Sequence, residues 1–123
     1  MILVDTSVWI DHLRSGEPLL VAVLESGGVM MHPFVLGELA CGNLANRSQV
    51  LELLGALPAS PTATDPEALE FIERRTLMGR GIGYVDVHLL ASTALSGDGY
   101  LWTRDRRLAT VATELDLAFD EGE

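Results

Sequence analysis

The first apolar run of the chain, Ile2-Leu3-Val4, shows no polar alternation, the pattern of a strand buried on both faces. It meets Asp5 with no turn signal between them. Thr6 and Ser7 are placed to cap a helix that Val8, Trp9, Ile10 and Leu13 would build. A carboxylate is therefore expected where a central parallel strand ends and a helix begins, the edge at which open α/β sheets bind ligands. Further along, a helix over 19–24 follows Pro18 and ends at Gly27-Gly28. A second short apolar strand, 29–31, is closed by His32-Pro33. Helices are predicted over 34–44, which carries Glu38, and around 50–54. The segment 58–64, PASPTAT, reads as a loop, too short to separate domains. Asp65 is expected to cap a helix with Pro66 at its first position and Glu67, Glu70 and Glu73 on its outer face. Gly79, Gly81 and Gly83 break that helix, and a strongly apolar one follows over 85–95. After the turn Gly97-Asp98-Gly99 come a strand over 100–103, a helix from 105 to about 115 and a strand over 117–119. The alternation predicts an α/β fold, one domain over 1–123. Segments 2–4, 29–31, 101–103 and 117–119 should share one largely parallel sheet with helices on both faces.

Composition narrows the function classes. Of 123 residues, 48% are hydrophobic, enough for a proper core and against general disorder. No apolar stretch approaches the ~20 residues that span a bilayer, so no membrane association is expected. The apolar start lacks a preceding basic region and does not read as a signal peptide. Cys41 has no partner cysteine, so a cytoplasmic location is expected, with Cys41 a small buried hydrophobe. The net charge is −10, from 18 acids against eight bases, every one an arginine. A general nucleic-acid binder is usually basic. Any nucleic acid must therefore be gripped locally.

Three further acids stand in apolar surroundings. Glu38 lies in the run 34–41, Asp86 in the first turn of the 85–95 helix, and Asp105 just after the apolar strand Leu101-Trp102-Thr103, with Arg104 between. Each alone has an ordinary reading. Asp86 favours a helix N-terminus by about 0.3–1 kcal/mol; Asp105 serves as a cap; Glu38 lies on a half-exposed stripe. Together with Asp5 they would converge on one edge of a parallel sheet. Two carboxylates ~4 Å apart repel by about 4 kcal/mol at an effective dielectric of 20. Such a group either holds protons or binds a hard cation. Oxygen donors without a His or Cys cluster indicate magnesium or manganese, and with them metal-assisted phosphodiester hydrolysis.

VDTSVWID, the GEL around Glu38, YVDVHLLAS around Asp86 and LWTRDRRL around Asp105 resemble, in order and spacing, the four motifs of PIN-domain nucleases, and in length the VapC toxins of toxin–antitoxin pairs. The resemblance spans 2–119. It implies a three-layer α/β/α fold and a Mg2+- or Mn2+-dependent endoribonuclease, with Asp5, Glu38, Asp86 and Asp105 as metal ligands. It places Thr6 and Thr103 at small hydroxyl positions that orient an acid or a water. It also implies an RNA substrate, a small VapB-like antitoxin with a basic amphipathic segment, and self-association as a homodimer. The surface near Trp9, His12 and the 19–24 helix is apolar enough to receive such a segment. Two features depart from the family pattern: His88 follows Asp86 by two residues, and the absence of lysine leaves substrate grip to arginine.

Arg104, Arg106 and Arg107, with Arg80 shortly before Asp86, have two readings, balance for local acids or a phosphate clamp. His12, His32 and His88 fit no metal spacing and read as structural or surface groups. Asp11 reads as an exposed helix residue, and Trp9, Trp102, Phe34, Met30 and Met31 as core. Two rivals remain to be weighed. A receiver module or aspartyl phosphotransferase needs a lysine, and the chain has none. A non-catalytic PIN-like interaction module, its acidic pocket binding a basic partner, is separated from a nuclease by activity with and without EDTA.

Overall fold

The structure is a computed structural model and describes residues 1–122. Three strands, β1 (Ile2–Val4), β2 (Val29–Met30) and β3 (Tyr100–Trp102), form a wholly parallel sheet in the order β2-β1-β3. Ile2 pairs with Val29 on one side and Tyr100 on the other, so β1 is central. Leu3 and Val4 are each 0% exposed. Successive strand side chains point to opposite faces, so helices cover both faces of the sheet, as the α/β/α expectation required.

Seven helices connect and cover the strands: α1 (Thr6–Ser15), α2 (Pro18–Glu25), α3 (Pro33–Ala40), α4 (Arg47–Gly55), α5 (Asp65–Arg75), α6 (Tyr84–Leu95) and α7 (Arg106–Glu114). Leu89 and Leu90 of α6, Leu108 of α7 and both tryptophans join the strands in the core. Among the described residues no helix is long and apolar enough to cross a membrane.

Several expectations are corrected. Segment 117–119 is not a full strand: only Ala118 pairs with Leu101, and the preceding Asp116 has left-handed backbone at φ 59°. Conversely, the PASPTAT loop supplies a one-residue parallel bridge from Ala59 to Met31. Pro58 and Pro61 flank it, and a residue without an N–H cannot extend a ladder. The cap of α5 is Thr64, not Asp65. Its side chain accepts from the Glu67 N–H while Glu67 accepts from the Thr64 N–H, a capping box. Helix α3 stops at Ala40, which leaves Cys41 exposed beyond its end. Phe34, read as core, is 38% exposed on its first turn.

Candidate active site

Strand β1 delivers Asp5 to the carboxyl edge of the sheet. Its N–H donates to the Trp102 carbonyl at 2.8 Å, tying the end of β1 to the end of β3. Asp5 occupies the cap position of α1, but its carboxylate makes no cap bond. Two hydroxyls hold it instead. Ser7 Oγ donates to Oδ2 at 2.9 Å and Thr103 Oγ1 donates to the same oxygen at 2.8 Å. Thr6, expected to cap, donates at 2.6 Å to Glu38 Oε1, across from α1 to α3. Three hydroxyls, Thr6 and Ser7 after β1 and Thr103 after β3, thus set two of the acids.

Asp86 lies in the first turn of α6, its Oδ2 accepting from the Gly83 N–H at 3.1 Å. Burial raises its carboxyl above the ordinary range, the Gly83 N–H opposes that, and the charges of Asp5, Asp105 and Glu38 push it up further. All three other acids therefore lie within electrostatic reach of Asp86. Asp105 caps α7, accepting from the Leu108 N–H at 3.0 Å, while its own N–H donates to Thr103 Oγ1 at 3.1 Å. The ordinary cap reading and membership of the cluster hold for this residue together.

Among the described residues, no three His, Cys, Asp or Glu side chains stand close enough to enclose an ion by themselves. The donor set still suits a hard cation. It is all oxygen, it is mutually repelling, and magnesium keeps several waters between itself and its protein ligands. Zinc, which takes nitrogen or sulfur in a tight tetrahedron, fits poorly.

The four arginines divide. Arg104 is bound to Asp11, Glu17 and Glu121. Arg80 grips Glu114 with two bonds, at 2.9 and 2.7 Å. Arg106 and Arg107, on the first turn of α7, form no ion pair among the described residues. Arg107 lies over Gly81, its guanidinium 2.9 Å from where a Cβ would stand; the φ of +80° is what favours glycine there, since a flexible arginine can move aside. The histidines stay out of the cluster. His88 is buried and its Nε2 lies 3.2 Å from Asp65 Oδ1, the oxygen that Tyr84 also engages. His32 Nδ1 caps α3 by accepting the Phe34 N–H, and His12 Nδ1 accepts the Glu17 N–H.

A cleft of about 250 Å³ opens beside Glu38, lined by Ile10, Leu13, Arg14, Leu39 and Val50. Leu13 and Val50 also line a second groove of about 220 Å³, which Trp9, His12, Leu24 and Leu57 complete. Arg14, Glu38 and Asn43 make the first partly polar, whereas the second is almost wholly apolar.

Residues 2–114 match the PIN domain family. The chain belongs to that family. Within it, this PIN domain is 48% identical over 121 residues to Ribonuclease VapC32 of Mycobacterium tuberculosis, strains CDC 1551 / Oshkosh and H37Rv, covering 98% of both chains. Identity at that level places it with the VapC proteins. Its fold is similar to that in the structure of VapBC-1 from nontypeable Haemophilus influenzae, with a TM-score of 0.69, 19% identity, and 98% and 97% of the two chains covered. FitAcB from Neisseria gonorrhoeae is similar at a TM-score of 0.64, 22% identity, and 96% and 95% coverage. Sequence reasoning missed one part of this PIN domain's site: Ser7, whose hydroxyl stands between Asp5 and Arg104. The signal was present as a second hydroxyl beside Thr6.

Proposed function

We propose that this PIN domain is the toxin of a VapBC-type toxin–antitoxin pair, a Mg2+- or Mn2+-dependent endoribonuclease that hydrolyses phosphodiester bonds of cellular RNA. What supports the reading is that the charges of Asp5 at the β1 exit, Glu38 on α3 and Asp105 at the α7 cap all bear on Asp86 at the start of α6. The 48% identity to a protein named as a ribonuclease supports it. Asp5, Glu38, Asp86 and Asp105 are the residues that would hold the ion. When bound, a divalent ion lowers the pKa of water and neutralises charge developing on the phosphate.

The chain's own groups do the rest. Ser7 and Thr103 donate to one oxygen of Asp5 and so fix the orientation of its carboxylate, which would be one of the groups holding the ion. Thr6 fixes one oxygen of Glu38 in the same way. Thr103 serves both Asp5 and Asp105, keeping the two acids in register. Arg106 and Arg107 are the groups available to meet RNA phosphates, whereas Arg104 and Arg80 are engaged by carboxylates of this chain.

The apolar groove of Trp9, Leu24 and Leu57, which shares Leu13 and Val50 with the partly polar cleft beside Glu38, suits an amphipathic antitoxin segment whose basic residues would face the acids. Self-association as a homodimer belongs to the same proposal, and sedimentation tests it. Two measurements test the whole reading. RNA should be cleaved with magnesium or manganese and spared in EDTA; no cleavage with either ion sinks the enzyme. Co-expression with the neighbouring reading frame should yield a co-purifying small protein, with association slowing as salt rises. If nothing binds and the nuclease is harmless to growing cells, the toxin assignment fails.

A further inference from the structure

Arg104 stands between two residues of the site, one after Thr103 and one before Asp105. Its main-chain N–H donates to Ser7 Oγ at 3.0 Å, and that hydroxyl donates onward to Asp5 Oδ2 at 2.9 Å. Its guanidinium meets Asp11 at 2.8 Å, Glu17 at 2.7 Å and Glu121 at 2.9 Å, and lies 5.8 Å from the centre of the Trp102 ring. The three carboxylates come from α1, from the connection between α1 and α2, and from the segment after α7. Four of its five N–H groups are engaged. The side chain is 29% exposed.

A substrate clamp would be arranged differently. A phosphate arriving at Arg104 would face three carboxylates against one guanidinium, a locally negative cluster, with almost no donor left to bind it. The same contacts suit another task. They pin the turn that carries Thr103 and Asp105 against the start of α1, where Asp5 and Ser7 lie. We propose that Arg104 is a positioning residue, a latch whose three ion pairs hold the Thr103–Asp105 turn on Ser7 and so set Asp5 and Asp105 relative to one another. The consequence for RNA cleavage rests on the ribonuclease reading above; the latch itself does not. Lysine cannot replace it, because one compact ammonium does not span three separate carboxylates.

The test removes the acceptors and leaves the arginine. In the double variant Glu17→Ala, Glu121→Ala, Arg104 keeps its charge and loses two partners. The latch predicts that kcat falls between tenfold and about a hundredfold, the scale of a small misplacement. KM and the salt slope of RNA binding should stay as in the parent. Amide hydrogen exchange at Arg104 and Asp105 should speed by about tenfold, with circular dichroism unchanged. A clamp predicts the opposite, a liberated arginine that lowers KM and steepens the salt slope at constant kcat. Arg104→Lys should behave like Arg104→Met in kcat. Full rescue by lysine would show that charge alone matters and would overturn the proposal. Unchanged exchange at Arg104 and Asp105 would overturn it too. If the parent cleaves no RNA, the ribonuclease reading fails, and amide exchange still decides the latch.

Discussion

Asp5→Asn removes a charge from the centre of the site with almost no change in shape. Both hydroxyls reach Oδ2, from Ser7 at 2.9 Å and Thr103 at 2.8 Å, and the asparagine oxygen can take that place and keep both. Bonds to a charged acceptor are worth about 1.5–3 kcal/mol and neutral ones about 1, so weakening two costs roughly 1–4 kcal/mol. Repulsion opposes that cost. Asp5 is one of three carboxylates whose charge bears on Asp86. Two charges about 6 Å apart at an effective dielectric of 20 repel by roughly 3 kcal/mol. The terms largely offset, so without divalent ions the variant should unfold within about 2 kcal/mol of the parent in urea, a difference that denaturant midpoints resolve. Cleavage should behave otherwise. Loss of one charged ligand for the ion should lower the rate by about a hundredfold or more. If Asp5→Asn cuts RNA at the parent's rate under saturating magnesium, the metal-nuclease mechanism is wrong. If it loses more than about 3 kcal/mol of stability, Asp5 is chiefly a structural link between β1 and β3.

His32 should make the protein acid-labile. Burial, with the charge of His88 adding, lowers it to about 4 in the folded state from 6.5. The unfolded chain therefore takes up a proton first, so stability is full above pH 6.5 and falls as pH drops towards 4, by about 3 kcal/mol in all. His32→Asn, which keeps an acceptor for the Phe34 N–H, should lose that dependence in urea melts at pH 7.5, 5.5 and 4.5; a parent with a flat profile sinks the argument. Neutralising Arg106 and Arg107 should weaken RNA binding and reduce its salt slope by about one per phosphate contact. An unchanged salt slope returns both to surface balance.

The strands next to the site were legible because β1 and β3 are continuous apolar runs followed within a few residues by an acid. Pairing was less so. Ala118 and Ala59 each bridge one strand residue, yet 117–119 reads as a strand and PASPTAT as a loop. A ladder needs N–H groups and extended backbone on both sides, which Pro58, Pro61 and the left-handed Asp116 deny. Helix α3 shows another limit. In PFVLGELA nearly every position is apolar, so periodicity identifies no buried face, and exposed Phe34 reads the same as buried Val35. The cap of α5 was legible in principle. Thr64 followed three residues later by Glu67 is the capping-box spacing, which separates Thr64 from Asp65.

The arginines mark where local reading ends. LWTRDRRL presents three alike, and only distant acids tell them apart: Asp11, Glu17 and Glu121 engage Arg104. Arg106 and Arg107 remain on the first turn of α7, the positive end of its dipole. A cation there is unfavourable by about 0.3–1 kcal/mol. Neither recovers that in an ion pair among the described residues, and Asp105, the nearest acid, is engaged with the Leu108 N–H. Within the chain Arg107 packs over Gly81, but neither arginine finds a carboxylate there among the described residues. Under the proposed ribonuclease reading an anion would supply the missing partner. RNA phosphates would be repelled by the four carboxylates, and two cations beside Asp105 would offset that repulsion.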